Sequence, residues 1–223
     1  MSEHDPSQET VILIHGLGRT RASLGVMQIC LKWAGYKVCN FPYSARKNSF
    51  QEIVDSLLAY IETEVESQVY HFVAHSLGNI IIRQGFHKGY PPELKRIVML
   101  APPNHPVKLA AKLKNNLLFQ YWSGDSGKKL ASPEFYAQLP VPSVEFGVIA
   151  GTKGQKWTFQ EPNDGIVELQ ATKLEGMKDF LTVHHTHTFL MNGSQTIQET
   201  IHFLKKGCFA NSSLNREKGS KVL

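Results

Sequence analysis

The stretch Phe72-Val73-Ala74-His75-Ser76-Leu77-Gly78-Asn79-Ile80-Ile81-Ile82 decides how the rest of the chain is read. An apolar strand-like run leads into a serine with small residues two positions to either side, and the chain then turns helix-like. That order is the layout of a nucleophile elbow, G-x-S-x-G, here with Ala74 in the first small position. A turn this sharp brings strand and helix too close together for large side chains at 74 and 78. It also forces the serine backbone into a conformation costing about 1–3 kcal/mol. Alone the pentapeptide is weak, because small-x-Ser-x-Gly arises by chance in many loops. Its weight comes from what flanks it.

Outward from Ser76, strand and helix signals alternate. Val11-Ile12-Leu13-Ile14 is wholly apolar, as expected of a strand buried on both faces of a parallel sheet. A helix is expected from Arg21 to Ala34, with Gly35 ending it, then a strand from Val38 to Phe41 stopped by Pro42. Ser49 and Glu52 form a capping-box signature ahead of Ile53, Leu57 and Ile61 at helical spacing. Val69–Ala74 is the next strand, and the helix after Ser76 runs to near Gly89. Further strands are expected at Ile97–Leu100, Val144–Ala150 and Phe180–Val183, with a last helix from Ser194 to Gly207. This rhythm predicts an α/β fold, an open six-stranded parallel sheet with helices on both faces. The segment 115–142, rich in Leu117, Phe119, Tyr121 and Trp122, breaks the rhythm and reads as a pocket wall or a lid. One domain over 10–207 is expected, after a disordered start at 1–9 and before a flexible basic tail at 208–223.

Composition narrows the class. With 42% hydrophobic and 19% charged residues among 223, the chain suits one folded domain and not a disordered one. The net charge of +5 gathers partly in the tail, and no basic stripe interleaved with aromatics suggests nucleic-acid binding. Met1–Gln8 lacks the basic-then-apolar pattern of a signal peptide, and no apolar run is long enough to span a membrane. Cys30, Cys39 and Cys208 are unpatterned, the first two reading as small core residues, so a reducing, cytoplasmic setting is expected. In that setting the sequon Asn211-Ser212-Ser213 has no role. No Cys/His spacing suggests a metal site, and no cofactor is expected.

Serine is a poor nucleophile until a base takes its proton, and the base needs a third group to orient it. On an open sheet of this kind the partners follow the serine in the order acid, then histidine. Pro162-Asn163-Asp164-Gly165-Ile166-Val167 places Asp164 in a tight turn beyond the strand ending at Ala150. Asp179 is less suitable because it precedes the last strand, which puts it at the sheet edge opposite Ser76; Asp125 ranks third. His184, His185 and His187 follow the last strand. His187 is preferred because it lies on the loop beyond the strand, with His185 the alternative. The first strand runs into His15-Gly16-Leu17-Gly18, a turn that can present a backbone N–H beside the nucleophile. The backbone amides of Leu17 and Leu77 are the expected oxyanion donors. His15 and His75 read as structural, and His71, His87 and His202 as ordinary.

Together, His15-Gly16, Ala74-His75-Ser76-Leu77-Gly78, Asn163-Asp164-Gly165-Ile166-Val167 and His187 resemble the α/β-hydrolase superfamily. The resemblance runs from Val11 to Gly207 and is closest to small bacterial lipases and esterases, in which an alanine can open the elbow. It implies the α/β-hydrolase fold in minimal form, lacking the full sheet's first two strands. It also implies a serine hydrolase that cleaves carboxylic esters through Ser76, His187 and Asp164 and an acyl-enzyme. The implied partner is a small-molecule ester with an apolar acyl group, with transient contact to a lipid surface left open. Thioesterase or acyltransferase chemistry, or a non-catalytic binding role, are the alternatives. Asn79 departs from the second glycine that many lipases carry after the elbow.

Overall fold

The computed structural model describes residues 9–106, 126–127, 129–130, 132–155 and 161–213. The strands are β1 (Glu9–Ile14), β2 (Lys37–Asn40), β3 (Val69–His75), β4 (Leu94–Leu100), β5 (Glu145–Gly151) and β6 (Asp179–Val183). They form one six-stranded sheet in the order β2-β1-β3-β4-β5-β6, every neighbouring pair parallel. The helices are α1 (Gly25–Trp33), α2 (Phe50–Glu64), α3 (Leu77–Gly85), α4 (Pro133–Gln138), α5 (Leu169–Thr172) and α6 (Ser194–Lys206). Among the described residues, no helix is long and apolar enough to cross a membrane.

The continuous apolar runs are explained by burial on both faces. In β1, Ile12 and Ile14 point into a core shared with Ile53, Leu57 and Ile61 of α2 and Ile80 and Ile81 of α3. Val11 and Leu13 point the other way, into a core shared with Met27 and Leu31 of α1 and Phe203 and Leu204 of α6. The two-residue strand period thus feeds two hydrophobic layers, one on each side of the sheet. β2, at the edge, is half-exposed. Helix boundaries follow from local chemistry. Ser49 Oγ accepts from the Glu52 amide at 3.3 Å while Glu52 Oε2 accepts from the Ser49 amide at 2.7 Å, completing the capping box. Gly207 takes a left-handed φ of 75° to close α6.

From β1 the chain runs to β2 on one side and then crosses over to β3 on the other side of β1. A crevice therefore opens where the C-terminal ends of β1 and β3 lie side by side. His15-Gly16 follows β1 and Ser76 follows β3, so both border it. The approach of α3 to the end of β1 is tight. A β-carbon on Gly78 would lie 2.6 Å from the Ile14 carbonyl oxygen and 2.9 Å from that of His15.

Four sequence expectations need correction. The helix expected from Arg21 to Ala34 starts as a 3₁₀ turn at Arg21–Leu24, because both the Ser23 amide and its hydroxyl bond back to the Thr20 carbonyl. The strand begins at Glu9, inside the stretch expected to be disordered, since Glu9 is buried against His71 at 2.9 Å and Lys95 at 3.0 Å. Cys30 and Cys39 are half-buried at the rims of the two cores, not inside them. The chain after Gly207 is packed through residue 213. Phe209 is buried, its amide donates to Asp179 Oδ2 at 2.7 Å, and Ser212 Oγ donates to Asp179 Oδ1. Glu199 accepts from the Ala210 amide at 2.7 Å and the Asn211 amide at 3.1 Å. Within the 115–142 segment, residues 115–125 lie outside the described residues. Leu130, Tyr136 and Leu139 are buried in the same core as α2 and α3.

Two predictions follow from this packing. Burial raises the Glu9 carboxyl, but hydrogen bonds and charge from His71 and Lys95 outweigh it and bring it down from 4.5 to about 2. Burial lowers the His71 imidazole in turn, against the hydrogen bond and charge of Glu9, which raise it. A depressed acid stabilises the fold above its unfolded value and loses that contribution as pH falls from 4.5 toward about 2. Urea midpoints of wild type and Glu9→Gln should therefore differ most above pH 4.5 and converge on acidification. A gap independent of pH would contradict the pairing. Separately, Gly78→Ala should cost about 1–3 kcal/mol by overpacking against backbone. Gly25→Ala, where a β-carbon meets nothing within 4 Å, should gain about 0.4–1 kcal/mol in the same titration.

Candidate active site

Ser76 sits between β3 and α3 with φ 52° and ψ −119°, one of two non-glycine residues with positive φ among those described. Backbone of this kind is strained and must be held by its surroundings. The Ser76 amide donates to the Leu100 carbonyl at the end of β4 at 2.9 Å. Asn79, fully buried, donates through Nδ2 to the Ser76 carbonyl at 3.1 Å and to the Leu100 carbonyl at 3.3 Å. The residue that departs from the usual glycine thus braces the elbow against β4. Nothing in the sequence signalled that role, because its partner carbonyl lies 21 residues away.

Asp164 is placed by its own turn. Oδ1 accepts from the amides of Ile166 at 3.0 Å and Val167 at 2.8 Å, and Asn163 Oδ1 accepts from the Gly165 amide at 2.9 Å. Gly165 has φ 100°, a conformation that favours glycine. With Oδ1 committed to backbone, Oδ2 lies 2.7 Å from His187 Nδ1. The two residues are also tied by main chain, the His187 amide donating to the Asp164 carbonyl at 2.9 Å. His187 Nε2 lies 3.0 Å from Ser76 Oγ. Asp164 and His187 are buried and Ser76 is half-buried. Three residues separated in sequence by up to 111 positions thus form one hydrogen-bonded chain.

The rival candidates lie elsewhere. The His185 ring sits against Gly193 before α6, and His184 is exposed. Asp179 is bound to residues 209–212 at the far edge of the sheet, while Asp125 lies outside the described residues. The amides of Leu17 and Leu77 have no acceptor among the described residues. Leu77 opens α3, where an amide has no intrahelical partner. Gly16 brings the first turn against Ser76, since a β-carbon there would lie 3.0 Å from Ser76 Cβ and 2.8 Å from His75 Nδ1.

The two structural histidines have defined tasks. Complete burial, reinforced by neighbouring His187, holds the His75 imidazole well below its ordinary value. Neutral His75 donates Nε2–H to the His187 carbonyl at 3.0 Å. His15, lowered by burial, stacks on Tyr43 with ring centroids 4.1 Å apart, and the Tyr43 hydroxyl donates to the His15 carbonyl at 2.7 Å. Among the described residues, no group of three or more His, Cys, Asp or Glu side chains could hold a metal ion.

Neither a protein-family model nor a curated protein matches the chain. Solved structures do. The mature lipase BlEst2 of Bacillus licheniformis superposes over 92% of this chain and 94% of its own, with a TM-score of 0.69 at 17% identity. A metagenomic carboxyl esterase matches 92% of this chain and 77% of its own, with a TM-score of 0.73 at 15% identity. Phospholipase PlaB of Legionella pneumophila matches 74% of this chain but 45% of its own length, with a TM-score of 0.64 at 18% identity. Likeness at such identity speaks to architecture alone. The chain has the α/β-hydrolase fold.

Proposed function

We propose that the protein is a serine hydrolase of carboxylic esters. The observation that carries this reading is the continuous chain from Ser76 Oγ through His187, at 3.0 Å and then 2.7 Å, to Asp164. Ser76 Oγ attacks the ester carbonyl while His187 Nε2 takes its proton. His187 then returns that proton to the leaving alcohol, and water resolves the acyl-enzyme by the reverse sequence. Asp164 fixes the tautomer by accepting Nδ1–H, and the imidazolium formed during attack is stabilised by the same carboxylate. The amides of Leu17 and Leu77 stabilise the oxyanion, each worth roughly 10²–10³ in rate.

Leu17, next to the Gly16 turn, is partly buried against the apolar core, which favours an apolar acyl part. Lipase and esterase neighbours support ester substrates, while thioesters and acyl acceptors other than water use the same acyl-enzyme. Three free cysteines suit a reducing, cytoplasmic setting.

Ser76→Ala should lower kcat/KM for a short-chain ester by roughly 10⁴–10⁶ and abolish labelling by a fluorophosphonate probe. Retained turnover in that variant would overturn the proposal. Asp164→Asn keeps the shape but loses the acceptor that sets the tautomer, and kcat should drop about 10⁴-fold with folding intact by circular dichroism. A loss under about tenfold would remove Asp164 from the mechanism.

A further inference from the structure

We propose that Ala101 and Asn79 are positioning residues, a clamp between the end of β4 and α3 that fixes where Ser76 Oγ stands. Two non-glycine residues have positive φ among those described, Ser76 at 52° and Ala101 at 45°. A left-handed backbone is costly for any residue with a β-carbon, and glycine is its usual occupant. Such strain persists only where the surroundings over-determine it, and it gathers at functional sites. Here the two strained residues lie at the ends of adjacent strands, β3 and β4, and one carbonyl joins them. The Leu100 oxygen accepts from the Ser76 amide at 2.9 Å and from Asn79 Nδ2 at 3.3 Å. That oxygen belongs to the rigid peptide plane whose other end is the Ala101 amide. The plane is gripped from its far side too, the Ala101 amide donating to the Ile149 carbonyl of β5 at 2.8 Å.

The turn beyond Ala101 is anchored as well. Pro102 and Pro103 restrict it and Asn104 ends it, all three buried. Asn104 donates through Nδ2 to the Thr172 carbonyl of α5 at 2.8 Å, and Arg83 Nη1 donates to its carbonyl and to its Oδ1, each at 3.3 Å. With the turn anchored, φ at Ala101 sets the direction of the Leu100 oxygen, and that oxygen meets the elbow. Asn79 and Arg83 stand one turn apart on α3, both buried, so one polar face of the helix is bonded to each end of the segment 100–104. Burying an amide and a guanidinium is unfavourable unless hydrogen bonds compensate. Packing alone would be served by apolar residues, as it is by Ile80, Ile81 and Ile82 between them. What the polar contacts add is direction, a fixed register of α3 on β4. The reacting group whose aim depends on that register is Ser76 Oγ.

The inference rests on the hydrolase reading, and counting reactive sites keeps the two apart. Wild type, Asn79→Ala, Asn79→Ser and Ala101→Gly are labelled to completion with a fluorophosphonate, and kcat for a short-chain ester is expressed per labelled site. A residue that serves stability alone changes how many sites label, whereas a positioning residue changes how fast each one works. In Asn79→Ala and Ala101→Gly, kcat per site and the labelling rate constant should fall about 10-fold, with KM within about twofold of wild type. A helical serine bonds back to the carbonyl three or four residues earlier, so Asn79→Ser keeps a donor for Ser76 but none for Leu100. It should be as slow as the alanine variant. The acid limb of kcat/KM should stay at its wild-type pH in all three, because His187 keeps its own anchors. Rates per site within about twofold of wild type in either Asn79→Ala or Ala101→Gly, or full recovery in Asn79→Ser, would refute the clamp. Should Asn79→Ala fail to fold, Ala101→Gly decides alone, since glycine takes a φ of 45° freely. A wild type that neither labels at Ser76 nor turns over would instead overturn the hydrolase reading, and the clamp's part in catalysis with it.

Discussion

The close approach of α3 to the end of β1 is the constraint on which the rest of the site depends. With no side chain at Gly78, the helix can rest on the carbonyls of Ile14 and His15. Ser76 is then lifted at the switch point of the sheet, and Gly16 is brought against it from the neighbouring strand. A larger residue at either glycine would separate elements whose contact positions the serine and the turn beside it. Strain at Ser76 is thus a consequence of packing, balanced by bonds from its amide and carbonyl to Leu100 and Asn79.

His187 shows how a long loop is made exact in position without a strand or helix of its own. Its amide is held by the Asp164 carbonyl, its carbonyl by His75, one ring nitrogen by the Asp164 carboxylate, and the other faces Ser76. Main-chain anchors on both sides of the ring leave it little rotational freedom. The elbow therefore contributes twice, once through Ser76 and once through the preceding histidine. The geometry of His187 is coupled to the same strand end that presents Ser76.

Much of this was legible in the sequence, for physical reasons. Strands buried on both faces must be continuous apolar runs, so β1, β3, β4 and β5 could be read directly, and Ser49 and Glu52 marked the start of α2 because capping is local. The order Ser76, Asp164, His187 was readable because each residue follows its own strand. What escaped was chemistry between distant positions. Glu9 meets His71 across 62 residues, and Asn79 finds a carbonyl on another strand. Arg83 in α3 is buried and bonds to the carbonyls of Leu139 and Pro140, each at 2.9 Å, pinning the chain after α4. No periodicity announces a buried arginine most of whose acceptors are main-chain oxygens.

The packing of residues 208–213 bears on where the folding unit ends. Hydrophobic patterning stops at Gly207, yet Asp179 and Glu199 collect most of their donors from the six residues beyond it. Among the described residues, a truncation placed at Gly207 would remove little buried apolar surface besides Phe209, but it would strip two buried carboxyl groups of most of their N–H and O–H partners. Uncompensated buried acids weigh more heavily than a lost aromatic contact. The natural cut point for an expressed fragment is therefore past Ser213, set by polar satisfaction and not by the last hydrophobic residue.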